Sequence, residues 1–213
     1  MRQKFYIADY HIGHNNLNFL MDKRGFSSVD EMNNYIFSQW NKVVKPGDEV
    51  YIIGDFIWNY EWSKLPELFN HFHGKKYLII GNHDNRWLKH FNNEKHHAFN
   101  WIKDYAEIND NGRRVILSHY PMIIYNHQFS ENTWMLHGHI HVTQDVDLFE
   151  QCKDIFRSDV RIGYRGIESP HVNIVNCFCM FSDYKPLTLD EWIEKEKSGE
   201  LRDKQILTKG GAV

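Results

Sequence analysis

A chain of 213 residues with 42% hydrophobic and 15% aromatic content can bury one large core, so a single compact domain is expected over residues 1–198. The net charge of -3, with lysine and arginine scattered along the chain, argues against a dedicated duplex nucleic-acid surface. No run of about 20 apolar residues exists, which argues against a membrane span, and three cysteines, Cys152, Cys177 and Cys179, form no even disulfide framework.

Taken in chain order, the first strand begins near Gln3, and Phe5-Tyr6-Ile7-Ala8 delivers Asp9 and His11. A start this early leaves no room for a charged leader and cleavage site, so a cytoplasmic protein is expected. Ser28-Val29-Asp30-Glu31 reads as a capping box, after which Met32, Tyr35, Ile36, Trp40 and Val43 recur at helical spacing. Val50-Tyr51-Ile52-Ile53-Gly54 then delivers Asp55. Leu65, Leu68, Phe69 and Phe72 mark a second helix, and Tyr77-Leu78-Ile79-Ile80-Gly81 delivers Asn82, His83 and Asp84. Trp87, Leu88 and Phe91 mark a third helix. Apolar residues on both sides of Asn111-Gly112 predict a tight antiparallel hairpin.

Val115-Ile116-Leu117-Ser118 leads into His119, and Trp134-Met135-Leu136-His137-Gly138 leads into His139 and His141. Residues 142–170 mix apolar and charged side chains and read either as a substrate loop or as a surface helix, with Arg157, Arg161 and Arg165 as their cations. His171 to Phe181 reads as a strand with Cys177 and Cys179 on one face, suited to packing. Thr188-Leu189-Asp190-Glu191 is a second capping box, opening a charged helix, and 199–213 reads as a polar, frayed tail.

Each short apolar run that ends on a metal-binding residue has the form of a buried strand closed by a small residue. The carboxyl edge of an α/β sheet, where such strands run out into loops, is where ligands bind. The donors mix imidazole, amide and carboxylate with no thiolate. That set suits Mn, Fe, Zn, Ni or Co better than the all-oxygen preference of Mg or Ca. A pair of cations about 3.5–4 Å apart can clamp a phosphoryl group and lower the pKa of water.

The blocks Asp9-x-His11, Gly54-Asp55, Gly81-Asn82-His83-Asp84, His119 and Gly138-His139-x-His141, in this order, resemble the calcineurin-like metallophosphoesterases. Pro46-Gly47-Asp48-Glu49-Val50, His119-Tyr120-Pro121 and the stretch Asp183 to Leu189 resemble the small, cap-less members from bacteria, archaea and phages. The resemblance implies an α/β fold of four α-β-β-α layers, with two mixed β-sheets flanked by helices. It implies a metal-dependent phosphoric ester hydrolase that attacks small or nucleotide-like phosphodiesters or phosphomonoesters with a metal-activated hydroxide. Two divalent transition metal ions are implied, Mn favoured: one held by Asp9, His11 and His141, the other by Asn82, His119 and His139, with Asp55 shared.

In similar enzymes the histidine at the position of His83 donates a proton to the leaving oxygen. Asp84 is expected to orient His83 or a ligand, or to cap the next helix. Arg86, His14 and His127 are candidate substrate contacts. Protein phosphatases of this fold carry an aspartate and an arginine shortly after the bridging aspartate, where this chain reads Phe56-Ile57-Trp58-Asn59. That departure weakens a phosphoprotein phosphatase and favours diesters. The alternative from another class is a metal-binding scaffold with little turnover.

Overall fold

The computed structural model describes residues 2–158, 161–163, 166–168 and 171–202. Four strands, β1 (Lys4–Ile7), β2 (Glu49–Ile53), β3 (Lys75–Ile79) and β4 (Phe99–Lys103), form one sheet in the order β1-β2-β3-β4. Every pairing in it is parallel. A second sheet has the order β10-β7-β6-β5, from β5 (Tyr105–Asp110), β6 (Arg113–Ser118), β7 (Thr133–His137) and β10 (Ile174–Asn176). Only its β5–β6 pair is antiparallel. The protein is thus α/β with two four-stranded sheets.

The expectation of two mixed sheets therefore holds for the second sheet alone. In the first, successive strands are joined by helical crossovers, and a crossover returns the chain in the same direction. The helices are α1 (Val29–Val43), α2 (Leu65–Asn70), and the single turns α3 (Asn85–Leu88) and α4 (Asn93–His96). β5 and β6 are joined instead by the predicted Asn111-Gly112 turn. Both of its residues are left-handed, at φ 50 and 84, which is the backbone a two-residue hairpin requires.

α1 starts at Ser28, whose side chain accepts from the Glu31 backbone at 3.1 Å. The other arm of the expected box goes one residue back, because the Glu31 carboxylate takes the Ser27 N–H at 2.8 Å and hydroxyl at 2.6 Å. Met32, Ile36 and Trp40 are fully buried from this helix, each such burial stabilising by roughly 1.5–3 kcal/mol. The second predicted box is complete at Thr188, opening α6 (Leu189–Ser198).

The stretch after the last histidine block is a helix, α5 (Gln144–Ser158), followed by the short pair β8 (Arg161–Gly163) and β9 (Gly166–Glu168). Arg157 pairs with Asp154 and Glu196. The side chain of Arg161, and Arg165, lie outside the described residues. Three further boundaries differ from expectation. The third helix stops at Leu88, and the last strand ends at Asn176, with Cys179–Ser182 forming a 3₁₀ turn. The folded chain also continues past 198, since Leu201 is buried against the core. Residues 203–213 of the expected tail lie outside the described residues. No described helix is long and apolar enough to cross a membrane.

The sheets meet along the free edge of β1. Ala8 donates to Cys177 O at 2.9 Å, Cys179 donates to Ala8 O at 3.1 Å, and the Ala8–Phe178 bridge is parallel. This seam gives β1, β2, β3, β6, β7 and β10 one common direction. Their carboxyl ends, and the loops that leave them, therefore converge on one edge.

Candidate metal centre

That common edge gathers all seven residues expected to bind metal. Asp9, Asp55 and Asn82 follow β1, β2 and β3, while His119, His139 and His141 follow β6 and β7. Four of the seven have left-handed backbone: Asp9 at φ 59, His11 at 49, Asp55 at 51 and His139 at 69. Non-glycine residues held there carry strain, which persists only where the surroundings over-determine it, typically at functional sites. The glycines beside them leave space for ligand side chains. A Cβ on Gly54 would lie 2.3 Å from His119 Nδ1, and one on Gly138 would lie 2.6 Å from Asp9 Oδ2.

Two groups of donor atoms result, Asp9 with His11 and His141, and Asp9 with Asp55 and His119, all buried. Among these, His11 Nε2 and His141 Nε2 face each other at 3.3 Å. Asp55 Oδ2 stands between the groups, 3.6 Å from His11 Nε2 and 3.5 Å from His119 Nε2. Asn82 Oδ1 lies 2.9 Å from both His119 Nε2 and His139 Nδ1. Asp9 reaches across, its carboxylate accepting from the His139 backbone at 3.1 Å.

The outer nitrogens decide which lone pairs point inward. His119 Nδ1 lies 3.0 Å from Ile53 O and His141 Nδ1 lies 2.8 Å from Asp22 Oδ1. Each partner is an acceptor, so each Nδ1 carries a proton and each Nε2 is the nitrogen turned toward the centre, where a bound cation would take the place of any proton on it. Burial, reinforced by the charges of His141 and Arg24, drives the His11 pKa well below 6.5 and keeps its ring neutral. Burial likewise pushes Asp55 up to about 7, with Asp9 adding to the rise against the pull of His119. Crowded inward-facing imidazole nitrogens beside buried carboxylates are a donor set that fits a metal ion, and these groups could hold one.

No family model matches the chain. An uncharacterized protein of Methanocaldococcus jannaschii, MJ1445, is 33% identical over 202 residues, covering 92% of this chain and 94% of its own length. This chain belongs to the family of MJ1445. The crystal structure of AQ665 from Aquifex aeolicus, described as a protein of unknown function, is similar at 28% identity with a TM-score of 0.62. That similarity covers 92% of this chain and 100% of the other. Both similarities thus extend over nearly the whole of this MJ1445-family chain, not a fragment of it.

The remaining predicted residues divide sharply. His83 lies at the rim, its side chain 36% exposed and its Nε2 3.9 Å from Asp55 Oδ2, while its backbone N–H donates to Asp55 Oδ1 at 2.8 Å. Burial and the nearby Arg86 lower its pKa. Trp58 packs edge-on against the His83 ring at 4.7 Å. His14 stacks on Trp58 at 3.9 Å, and the Arg86 guanidinium lies 4.3 Å from the same indole. His14 and Arg86 are therefore beside the site, both against the Trp58 indole.

Asp84 takes one of its expected roles, holding a candidate ligand, and not that of helix cap. It is fully buried, and its carboxylate accepts from the backbone of Asp55 at 2.8 Å, Phe56 at 2.9 Å and Gly81 at 2.8 Å, and from the Trp87 indole at 2.8 Å. It makes no side-chain cap of α3, and among the described residues no hydrogen bond joins it to the His83 ring. Its work is to fasten the loop after β2 to the loop after β3. His127 lies elsewhere, in a surface hollow with Glu107, Asn109, Arg114 and Thr133. Arg114 and Thr133 stand at the amino ends of β6 and β7, the far edge from the candidate metal ligands.

Two residues at the centre escaped the sequence reading. Asp22 receives the His141 ring, and Arg24, buried as completely as any residue in the core, donates to the Asp9 carbonyl at 3.0 Å and the Tyr10 carbonyl at 2.6 Å. Burial opposes a charge on His141, but its hydrogen bonds to Asp22 and Asp9 win and raise its pKa to about 9. Met21-Asp22-Lys23-Arg24-Gly25 has the composition of a solvated loop, so nothing local signals that two of these charges turn inward.

Proposed function

We propose that this protein is a calcineurin-like metallophosphoesterase of four α-β-β-α layers that hydrolyses phosphodiester or phosphomonoester bonds in small or nucleotide-like substrates, diesters preferred. The observation that carries the reading is Asp55 Oδ2, which stands between His11 Nε2 and His119 Nε2 at 3.6 and 3.5 Å with the His83 ring at the rim of the same carboxylate. Asp9, His11 and His141 would hold one divalent ion and Asn82, His119 and His139 a second, with Asp55 common to both. Such a pair supplies water of lowered pKa and positive charge for the phosphoryl oxygens. The mixed imidazole, amide and carboxylate donors suit Mn, Fe, Zn, Ni or Co, and the family resemblance favours Mn among them.

The chain's own contribution to turnover centres on His83. Partly exposed and beside the shared carboxylate, it donates the proton taken up by the departing oxygen, a contribution of about 10²–10⁴ in rate. A scaffold has no physical use for a proton donor there. Trp58, where protein phosphatases of this fold carry an aspartate, and the exposed Arg86 beside it suit a compact phosphoester better than a phosphoprotein. The test is hydrolysis of bis-p-nitrophenyl phosphate and p-nitrophenyl phosphate by protein loaded with Mn²⁺. Turnover of the diester is expected, and failure with both substrates refutes the reading.

A further inference from the structure

An arginine without solvent contact is expensive unless every donor is matched. Arg24 meets that condition chiefly with partners at the centre, and its Nη1 also faces Met32 Sδ of α1 at 4.0 Å. Its Nε and Nη2 each lie 2.9 Å from Asp22 Oδ2, its Nη1 donates to Tyr10 O at 2.6 Å, and its Nη2 donates to Asp9 O at 3.0 Å. Cys179 Sγ approaches the same Asp9 carbonyl at 3.2 Å. The other Asp22 oxygen, Oδ1, takes the His141 ring at 2.8 Å. One guanidinium and one carboxylate thus tie together the turn that carries Asp9 and His11, both left-handed, and the imidazole that arrives from the far sheet.

We propose that Asp22 and Arg24 are positioning residues for one ion site. Asp22 aims His141 Nε2 and fixes its tautomer, and Arg24 pins the strained Asp9–His11 turn through two carbonyls that no strand partner satisfies. The inference rests on the dinuclear reading above and adds an asymmetry to it. The site of Asp9, His11 and His141 touches this pair directly, while the site of Asn82, His119 and His139 meets it only at second hand, through the Asp9 carboxylate on the His139 N–H. Loss of an outer hydrogen bond to a ligating histidine typically lowers metal affinity about 10–100-fold. The ion of Asp9, His11 and His141 should feel that loss far more than the other.

The experiment is Mn²⁺ titration of the full chain, read by bound metal and by electron paramagnetic resonance, for the wild type, Asp22→Ala, Asp22→Asn and Arg24→Lys. The wild type is expected to show an exchange-coupled pair. Asp22→Ala and Arg24→Lys should keep one tight ion with the spectrum of an isolated Mn²⁺, the second binding about 10–100-fold more weakly. Asp22→Asn, which retains an acceptor for His141, should fall between Asp22→Ala and the wild type. The tight ion that remains serves as an internal sign of folding. If Asp22→Ala fails to fold, the intermediate affinity of Asp22→Asn decides the matter. Coupled pairs of wild-type affinity in the folded variants overturn the proposal, as does equal weakening of both ions. A wild type that binds no metal would instead refute the dinuclear reading itself.

Discussion

Replacing Gly81 by alanine tests the centre at its tightest point. The added Cβ would lie 2.3 Å from Asp55 Oδ1 and 2.4 Å from the Asp55 backbone nitrogen. Non-bonded heavy atoms rest at about 3.5 Å, so Asp55 must retreat by roughly 1 Å. It cannot do so alone. Oδ1 is held by the His83 N–H at 2.8 Å and the Asp55 N–H is held by Asp84 Oδ2 at 2.8 Å, so the shift carries both loops with it. A misplacement of about 1 Å can lower a rate by ~10², and the same displacement of a shared carboxylate should weaken Mn²⁺ binding by a similar factor. A loss of about 100-fold in affinity removes about 2.7 kcal/mol of the stabilisation that Mn²⁺ gives the folded chain. Thermal unfolding in chelator and in Mn²⁺, with parallel diester kinetics, measures both effects. Gly47→Ala is the control, because nothing lies within 4 Å of its Cβ and its φ is not positive. Wild-type Mn²⁺ stabilisation and turnover in Gly81→Ala would show that Asp55 is not held as described.

His83→Ala should lower diester turnover by about 10²–10⁴ while bound Mn²⁺ stays at the wild-type level; loss of metal in that variant would place His83 among the ligands. Asp84→Ala strips an acceptor from three backbone N–H groups and the Trp87 indole, and should destabilise the metal-free chain by about 3 kcal/mol or more in denaturant unfolding; a change under about 1 kcal/mol refutes the fastening role. His137 is 1% exposed, and burial lowers its pKa from 6.5 to about 3 although its hydrogen bond to Gly138 O opposes this. The folded state therefore binds fewer protons than the unfolded state between those values, so this contribution is fully present above pH 6.5 and is lost as pH falls toward 3. By pH 5 it amounts to about 2 kcal/mol. His137→Asn should flatten the fall in metal-free stability between pH 7 and 5 by that amount, and an unchanged slope would sink the burial argument.

The sequence by itself determined the parts whose signal is local. Each block of candidate metal ligands was legible because it closes a strand of four or five apolar residues, and the edge of a strand is set by where that run stops. The helix starts at Ser28 and Thr188 and the Asn111-Gly112 hairpin were legible for the same reason, since a cap or a turn is made by neighbours in the chain. Only the tertiary structure decided which charges face inward. Asp22 and Arg24 look like any solvated loop residues until two sheets meet at β1 and enclose them, and Asp84 has the sequence position of a helix cap but finds better donors across the β2 and β3 loops. His127 shows the converse, lying eight residues beyond His119 yet at the opposite edge of its sheet. Strand direction is the physical reason: it carries residues that are distant in the chain to one edge, and it separates residues that are near in the chain by the full length of a strand.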